Sequence, residues 1–118
     1  MPRVLIADDD PVMRMLLSAV VKSDPELELV AAAEDATEAI ALSREHAPDV
    51  VLLDVEMPGG GGPHAAREIK AAAPTTRVLA LSAHEGGEQR DAMEAAGADG
   101  YVIKGTPPAE IARALRGD

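Results

Sequence analysis

Five apolar runs of strand length, at residues 4–7, 27–33, 50–53, 78–81 and 101–103, alternate with five segments of helical spacing, at 11–22, 36–46, 63–73, 88–96 and 108–116. A chain patterned in this way has few folds open to it. The runs are continuously apolar rather than alternating, which is the mark of strands covered on both faces, and such strands form parallel sheets. Parallel neighbours need crossover connections, and the right hand of those crossovers distributes the helices over both sides of the sheet. The expectation is a three-layer, doubly wound α/β sandwich of five βα units. Pro48, Pro58, Pro74, Gly97 and Gly105 fall at the proposed junctions. At 118 residues this makes one domain, 1–118, with no linker, no longer repeat and no low-complexity tract beyond the four glycines at 59–62.

Charge then limits what the domain can bind. The formal net charge is -10 and no Lys/Arg run is present, so direct nucleic-acid binding by this domain is not expected. Cysteine is absent, which excludes disulfides and thiolate metal sites. No apolar stretch approaches the ~20 residues of a membrane span and no apolar leader precedes the first run. A soluble, cytoplasmic domain without membrane contact is expected. Tyr101 is the only aromatic residue, so the core must be aliphatic and alanine-rich, and Tyr101 itself needs a separate explanation.

The residues able to do chemistry sit at the carboxyl ends of the runs. Asp8, Asp9 and Asp10 close the first, Asp54 closes the third, Ser82 the fourth and Lys104 the fifth. That rim is where open α/β sheets bind ligands. Asp10 before Pro11 reads as a helix cap followed by a first-turn proline. Asp8 and Asp9 exceed what a turn requires. Carboxylates gathered there repel unless a hard divalent cation offsets them. With a lysine as point charge and a hydroxyl as donor, the set is an inventory for handling a phosphoryl group.

Over its whole length the chain resembles the response-regulator receiver domain of bacterial two-component systems. The resemblance is carried by Ile6-Ala7-Asp8-Asp9-Asp10-Pro11, by Leu52-Leu53-Asp54-Val55-Glu56-Met57-Pro58 with Gly62 four residues on, by Leu81-Ser82-Ala83, and by Gly100-Tyr101-Val102-Ile103-Lys104. It implies a flavodoxin-like fold with a five-stranded parallel sheet of order 2-1-3-4-5. It also implies that Asp54 accepts a phosphoryl group from a sensor histidine kinase or a phosphotransfer protein. Mg2+, with Mn2+ able to substitute, would be held by Asp9 and Asp54 directly, by Asp8 through water and by the backbone carbonyl of Glu56. Lys104 would bond the phosphoryl group, and Ser82 and Tyr101 would form the switch. Such a domain is a signalling module that catalyses only its own phosphotransfer and dephosphorylation. The segment from Gly100 to Glu110 looks most like the receivers of LuxR-type helix-turn-helix regulators, which implies an effector domain or downstream protein that controls transcription.

Other expectations follow from placement. Glu56 and His84, two residues past Asp54 and Ser82, are expected to meet across the mouth of the site and tune dephosphorylation. Gly105 stands where many receivers carry proline, and the glycines at 59–62 imply a loose loop. In the first helix the polar residues Arg14, Ser18 and Lys22 form one narrow stripe, so Val12, Met13 and Met15 could be partly exposed and serve kinase docking, with Arg14 and Met15 as the residues to test. The alternative is deep burial of that helix. Arg90, Asp91, Glu94, Arg113 and Arg116 could support a phosphorylation-dependent homodimer. Two rival readings remain: a stand-alone or phosphorylation-independent interaction module, and a phosphatase of the haloacid dehalogenase type with Asp8 as nucleophile, whose D-x-D-x-V pattern Asp8, Asp10 and Val12 satisfy. The second lacks an acidic pair after the lysine strand and leaves Asp54 without a task.

Overall fold

A computed structural model describes all 118 residues. The elements are β1 (Arg3–Ala7), α1 (Pro11–Ser23), β2 (Glu28–Ala33), α2 (Ala36–His46), β3 (Val50–Asp54), α3 (Gly61–Ala72), β4 (Arg77–Ser82), α4 (Glu88–Ala95), β5 (Gly100–Ile103) and α5 (Pro108–Arg116). All strand pairs are parallel. The order across the sheet is β2-β1-β3-β4-β5, the flavodoxin-like arrangement in which the chain winds first one way from β1 and then the other.

Alternation along each strand feeds two cores. Leu5, Ala7, Val51, Leu53, Val78 and Ala80 face α2, α3 and α4, where Ala36, Ala39, Ala65, Ala66, Ile69 and Met93 meet them. Val4, Ile6, Val50, Leu52, Leu79 and Leu81 face α1 and α5, against Leu17, Val21, Ile111 and Leu115. Val4 to Ala7 of β1 and the whole of β3 are buried on both faces, and this is why their sequences show no polar alternation. Alanines at the contact positions of α2 and α3 let those helices lie close to the sheet without large aromatic side chains.

Two element boundaries differ instructively from the sequence expectation. Pro63 reads as the first residue of its helix, yet α3 begins two residues earlier at Gly61. Proline is tolerated there because the first-turn amides have no intrahelical acceptor in any case. The glycines before it have a backbone reason: Gly59, Gly60 and Gly61 all take positive φ, at +84°, +108° and +81°, conformations that only glycine adopts cheaply. Ala36 N donates to Pro58 O at 2.9 Å, which ties this loop to the start of α2. The second difference is that β3 and β4 run on to include Asp54 and Ser82, so both side chains are set by strand geometry rather than by loops.

α1 is not buried on all sides. Leu17 and Val21 pack inward, whereas Val12, Met15 and Leu16 are 57%, 66% and 55% exposed. Met13 is half-buried. The outward surface of the helix is therefore apolar, and the expected polar stripe is partly turned to other work: Arg14 Nη1 donates to Asp8 O at 2.8 Å.

Candidate functional site

The sheet register assembles the site. Ala7 pairs with Leu53 across β1 and β3, so the next residues, Asp8 and Asp54, end side by side. Asp54 pairs with Leu81 across β3 and β4, and Ser82 pairs with Ile103 across β4 and β5. Lys104 follows directly, its N–H donating to Ser82 O at 2.7 Å. Carboxylates, hydroxyl and ammonium thus share one rim, beside the switch point between β1 and β3.

The carboxylates are arranged unequally. Asp8 has no solvent exposure and Asp54 only 2%, while Asp9 is exposed. One oxygen from each of Asp8, Asp9 and Asp54 lies within 4.8 Å of the others. Asp8 Oδ1 accepts from Asp10 N at 2.9 Å. Asp8 Oδ2 is buried without a hydrogen-bond donor, its nearest positive group being Lys104 Nζ at 3.5 Å. Asp10 is the helix cap its sequence suggests, Oδ1 accepting from Val12 N at 2.9 Å.

Asp54 sits between opposing influences. Glu56 N donates to its Oδ1 at 3.1 Å and Lys104 Nζ to its Oδ2 at 3.3 Å. Burial, and then the charge of Asp8, outweigh those two contacts and push the Asp54 carboxyl up to about 7. For Lys104 burial works against the charge, yet Asp54 and Asp8 prevail and hold it above its ordinary value. An orphaned buried oxygen and a carboxylate that resists ionisation fit a site made for a hard cation, which prefers oxygen ligands. The donor set, acids with no thiol or imidazole, suits Mg2+ or Mn2+ rather than zinc.

Gly62 gives the site its floor. A Cβ there would stand 2.6 Å from Asp54 O and 2.7 Å from Val55 Cα, and its N–H donates to Val55 O at 2.9 Å. At Gly105 φ is +97° with no cis peptide bond in the chain. Proline, fixed near −65°, could not take that conformation.

The expected meeting of Glu56 with His84 is not formed. The Glu56 carboxylate instead accepts from Gln89 Nε2, and Gln89 Oε1 accepts from Ser82 Oγ at 3.0 Å. His84 contributes through its backbone: its N–H donates to Ser82 Oγ at 3.1 Å and its carbonyl accepts from Tyr101 Oη at 2.8 Å. The lone aromatic ring thus lies half-buried, with the Arg90 guanidinium 5.2 Å from its centroid. Gln89 carries no signal in the sequence, because nothing local dictates where an amide in the first turn of α4 will point. Arg116 pairs with Asp24 and, at 2.9 Å, with Asp118. A surface cavity of about 590 Å³ lies elsewhere, between α1 and α5.

The chain is 36% identical over 115 residues to the oxygen regulatory protein NreC of Staphylococcus epidermidis, an alignment covering 97% of the chain and 53% of NreC. It is likewise 36% identical over 116 residues to the DNA-binding transcriptional activator DevR/DosR of Mycobacterium tuberculosis, covering 98% and 54%. The chain therefore spans about half the length of these curated relatives. A two-component response regulator of the LuxR family from Aurantimonas sp. SI85-9A1 superimposes with a TM-score of 0.91 at 36% identity, covering 99% of this chain and 84% of that one. The response regulator domain of Thermotoga maritima CheB does so with a TM-score of 0.91 at 31% identity, covering 99% and 95%. Residues 4–116 match the family model for the response regulator receiver domain, and to that family the chain belongs.

Proposed function

We propose that the domain is a phosphorylation-dependent switch in which Asp54 is the acceptor. The observation that carries this is Lys104 Nζ, which lies 3.3 Å from the nearly inaccessible Asp54 carboxylate at the end of β3 and 3.5 Å from the orphaned oxygen of Asp8. An Asp54 carboxylate oxygen attacks phosphorus of a phosphohistidine, the P–N bond breaks, and an acyl phosphate forms on Asp54. Asp8, Asp9, Asp54 and the Glu56 carbonyl would hold Mg2+, which supplies positive charge for the carboxylates and for the phosphoryl oxygens. Lys104 holds Asp54 and offers its ammonium to the incoming group. Ser82 donates its hydroxyl to a phosphoryl oxygen, and Tyr101 follows the segment it grips at His84.

The donor is a sensor histidine kinase or a phosphotransfer protein, and it docks on α1, where Val12, Met15 and Leu16 present an unpartnered apolar surface above the site. Control of transcription is the output that the DevR/DosR and LuxR-family descriptions support, exercised in the cytoplasm. The test is binding of beryllofluoride, a phosphoryl stand-in, in millimolar Mg2+. Binding to the wild type and its loss in Asp54→Ala are expected, whereas no binding by the wild type would favour a phosphorylation-independent interaction module.

A further inference from the structure

Ser82 and Glu56 are joined by a residue that phosphoryl chemistry does not call for. Gln89, half-buried in the first turn of α4, accepts from Ser82 Oγ at 3.0 Å and donates to Glu56 Oε1. Its amide has one consistent orientation. An ionised carboxylate only accepts, so the NH2 end must face Glu56, and this turns the carbonyl end to Ser82. Ser82 Oγ has a single proton, which lies on Gln89, and it takes the His84 N–H at 3.1 Å. The hydroxyl has no donor capacity left. To reach a phosphoryl oxygen on Asp54, Ser82 must first leave Gln89.

We propose that Gln89 is a latch for the unphosphorylated state, a positioning residue whose amide holds the Ser82 hydroxyl and the Glu56 carboxylate together across the mouth of the site. This rests on the reading of Asp54 as phosphoacceptor and adds the element that sets how far the resting equilibrium leans from the active form. The latch extends to Tyr101, whose Oη donates to the carbonyl of the same His84 that bonds Ser82. Freeing Ser82 therefore loosens the segment that fixes the ring. A ligand that needs the freed hydroxyl binds more weakly by the fraction of molecules in which it is free. One net hydrogen bond makes that fraction roughly fivefold smaller.

The experiment is a titration of beryllofluoride in saturating Mg2+, read by tyrosine fluorescence, which reports Tyr101 alone because no other aromatic residue is present. Gln89→Leu, similar in size and unable to hydrogen-bond, is expected to bind beryllofluoride roughly fivefold more tightly than the wild type. Gln89→Ala, which keeps high helix propensity in this turn, is expected to agree with it. Affinity for Mg2+ alone stays unchanged, since Gln89 touches none of Asp8, Asp9 or Asp54 and meets Glu56 at its side-chain carboxylate rather than at its backbone carbonyl. In a Ser82→Ala background the same replacement loses most of its gain, an outcome that general loosening of α4 would not produce. Wild-type affinity in both folded Gln89 variants, or a full gain in the Ser82→Ala background, overturns the latch while leaving the phosphoacceptor reading intact. A wild type that binds no beryllofluoride overturns that reading and the latch with it.

Discussion

Asp54 shows how a residue's surroundings outweigh its intrinsic chemistry. Its carboxyl lies at about 7 in the folded chain against 3.8 as a free side chain, because burial and Asp8 oppose its charge. The native state therefore holds this proton more tightly than the unfolded one. The associated stability is complete below pH 3.8 and is lost as the pH rises through about 7. Stability to denaturant, measured without divalent cations, is expected to fall over that window by on the order of a few kcal/mol. Asp54→Asn should flatten the profile, and a profile that is already flat in the wild type would contradict the assignment. A second residue-scale outcome concerns Gly62. Gly62→Ala drives a methyl group into Asp54 O and Val55 Cα and should cost about 1–3 kcal/mol of stability, while Gly86→Ala, with nothing within 4 Å, should be near neutral. Asp8, Asp9, Asp54, Ser82 and Lys104 were legible as a group because each ends an apolar run. Gln89 was not, because its role depends on where two distant strand ends bring Ser82 and Glu56.

Among the elements, α1 separates stability from recognition. Leu17 is 3% exposed and its neighbour Leu16 is 55% exposed. Leu17→Ala is expected to lower stability by about 2–5 kcal/mol, and Leu16→Ala to change it by less than about 0.5 kcal/mol. Met15→Ala and Leu16→Glu should slow phosphotransfer from a histidine kinase severalfold while sparing acetyl phosphate as donor. Equal losses with both donors would contradict docking at α1. Arg14 suits that test poorly, because its guanidinium holds the Asp8 carbonyl and reversing its charge would disturb the site itself. The strands were legible since their runs are apolar on both faces. The start of α3 was less so, because Pro63 fits any position of a first turn.

On the scale of the whole molecule, βα periodicity alone dictated the layers, and the observed order β2-β1-β3-β4-β5 agrees with the order implied by the resemblance. What periodicity could not supply was the pairing of surface charges. Arg116 is drawn to Asp24 and Asp118 and Arg90 lies against the Tyr101 ring, which leaves Arg113, Asp91 and Glu94 as the uncommitted charges of the expected dimer surface. The net charge of -10 bears on partners more directly. This domain alone should not shift a labelled DNA duplex in a fluorescence anisotropy titration at low salt, and binding that weakens steeply as salt is added would contradict that expectation.

The claim on which the account depends is that the phosphoryl group goes to Asp54. Phosphorylation with a small-molecule phosphodonor in Mg2+, followed by chemical trapping of the acyl phosphate and peptide mass mapping, locates it directly. One label is expected, on Asp54, absent in Asp54→Ala and absent without a divalent cation. A label on Asp8 with Asp54 unmodified would contradict it and would restore the phosphatase reading of the strand-end carboxylates.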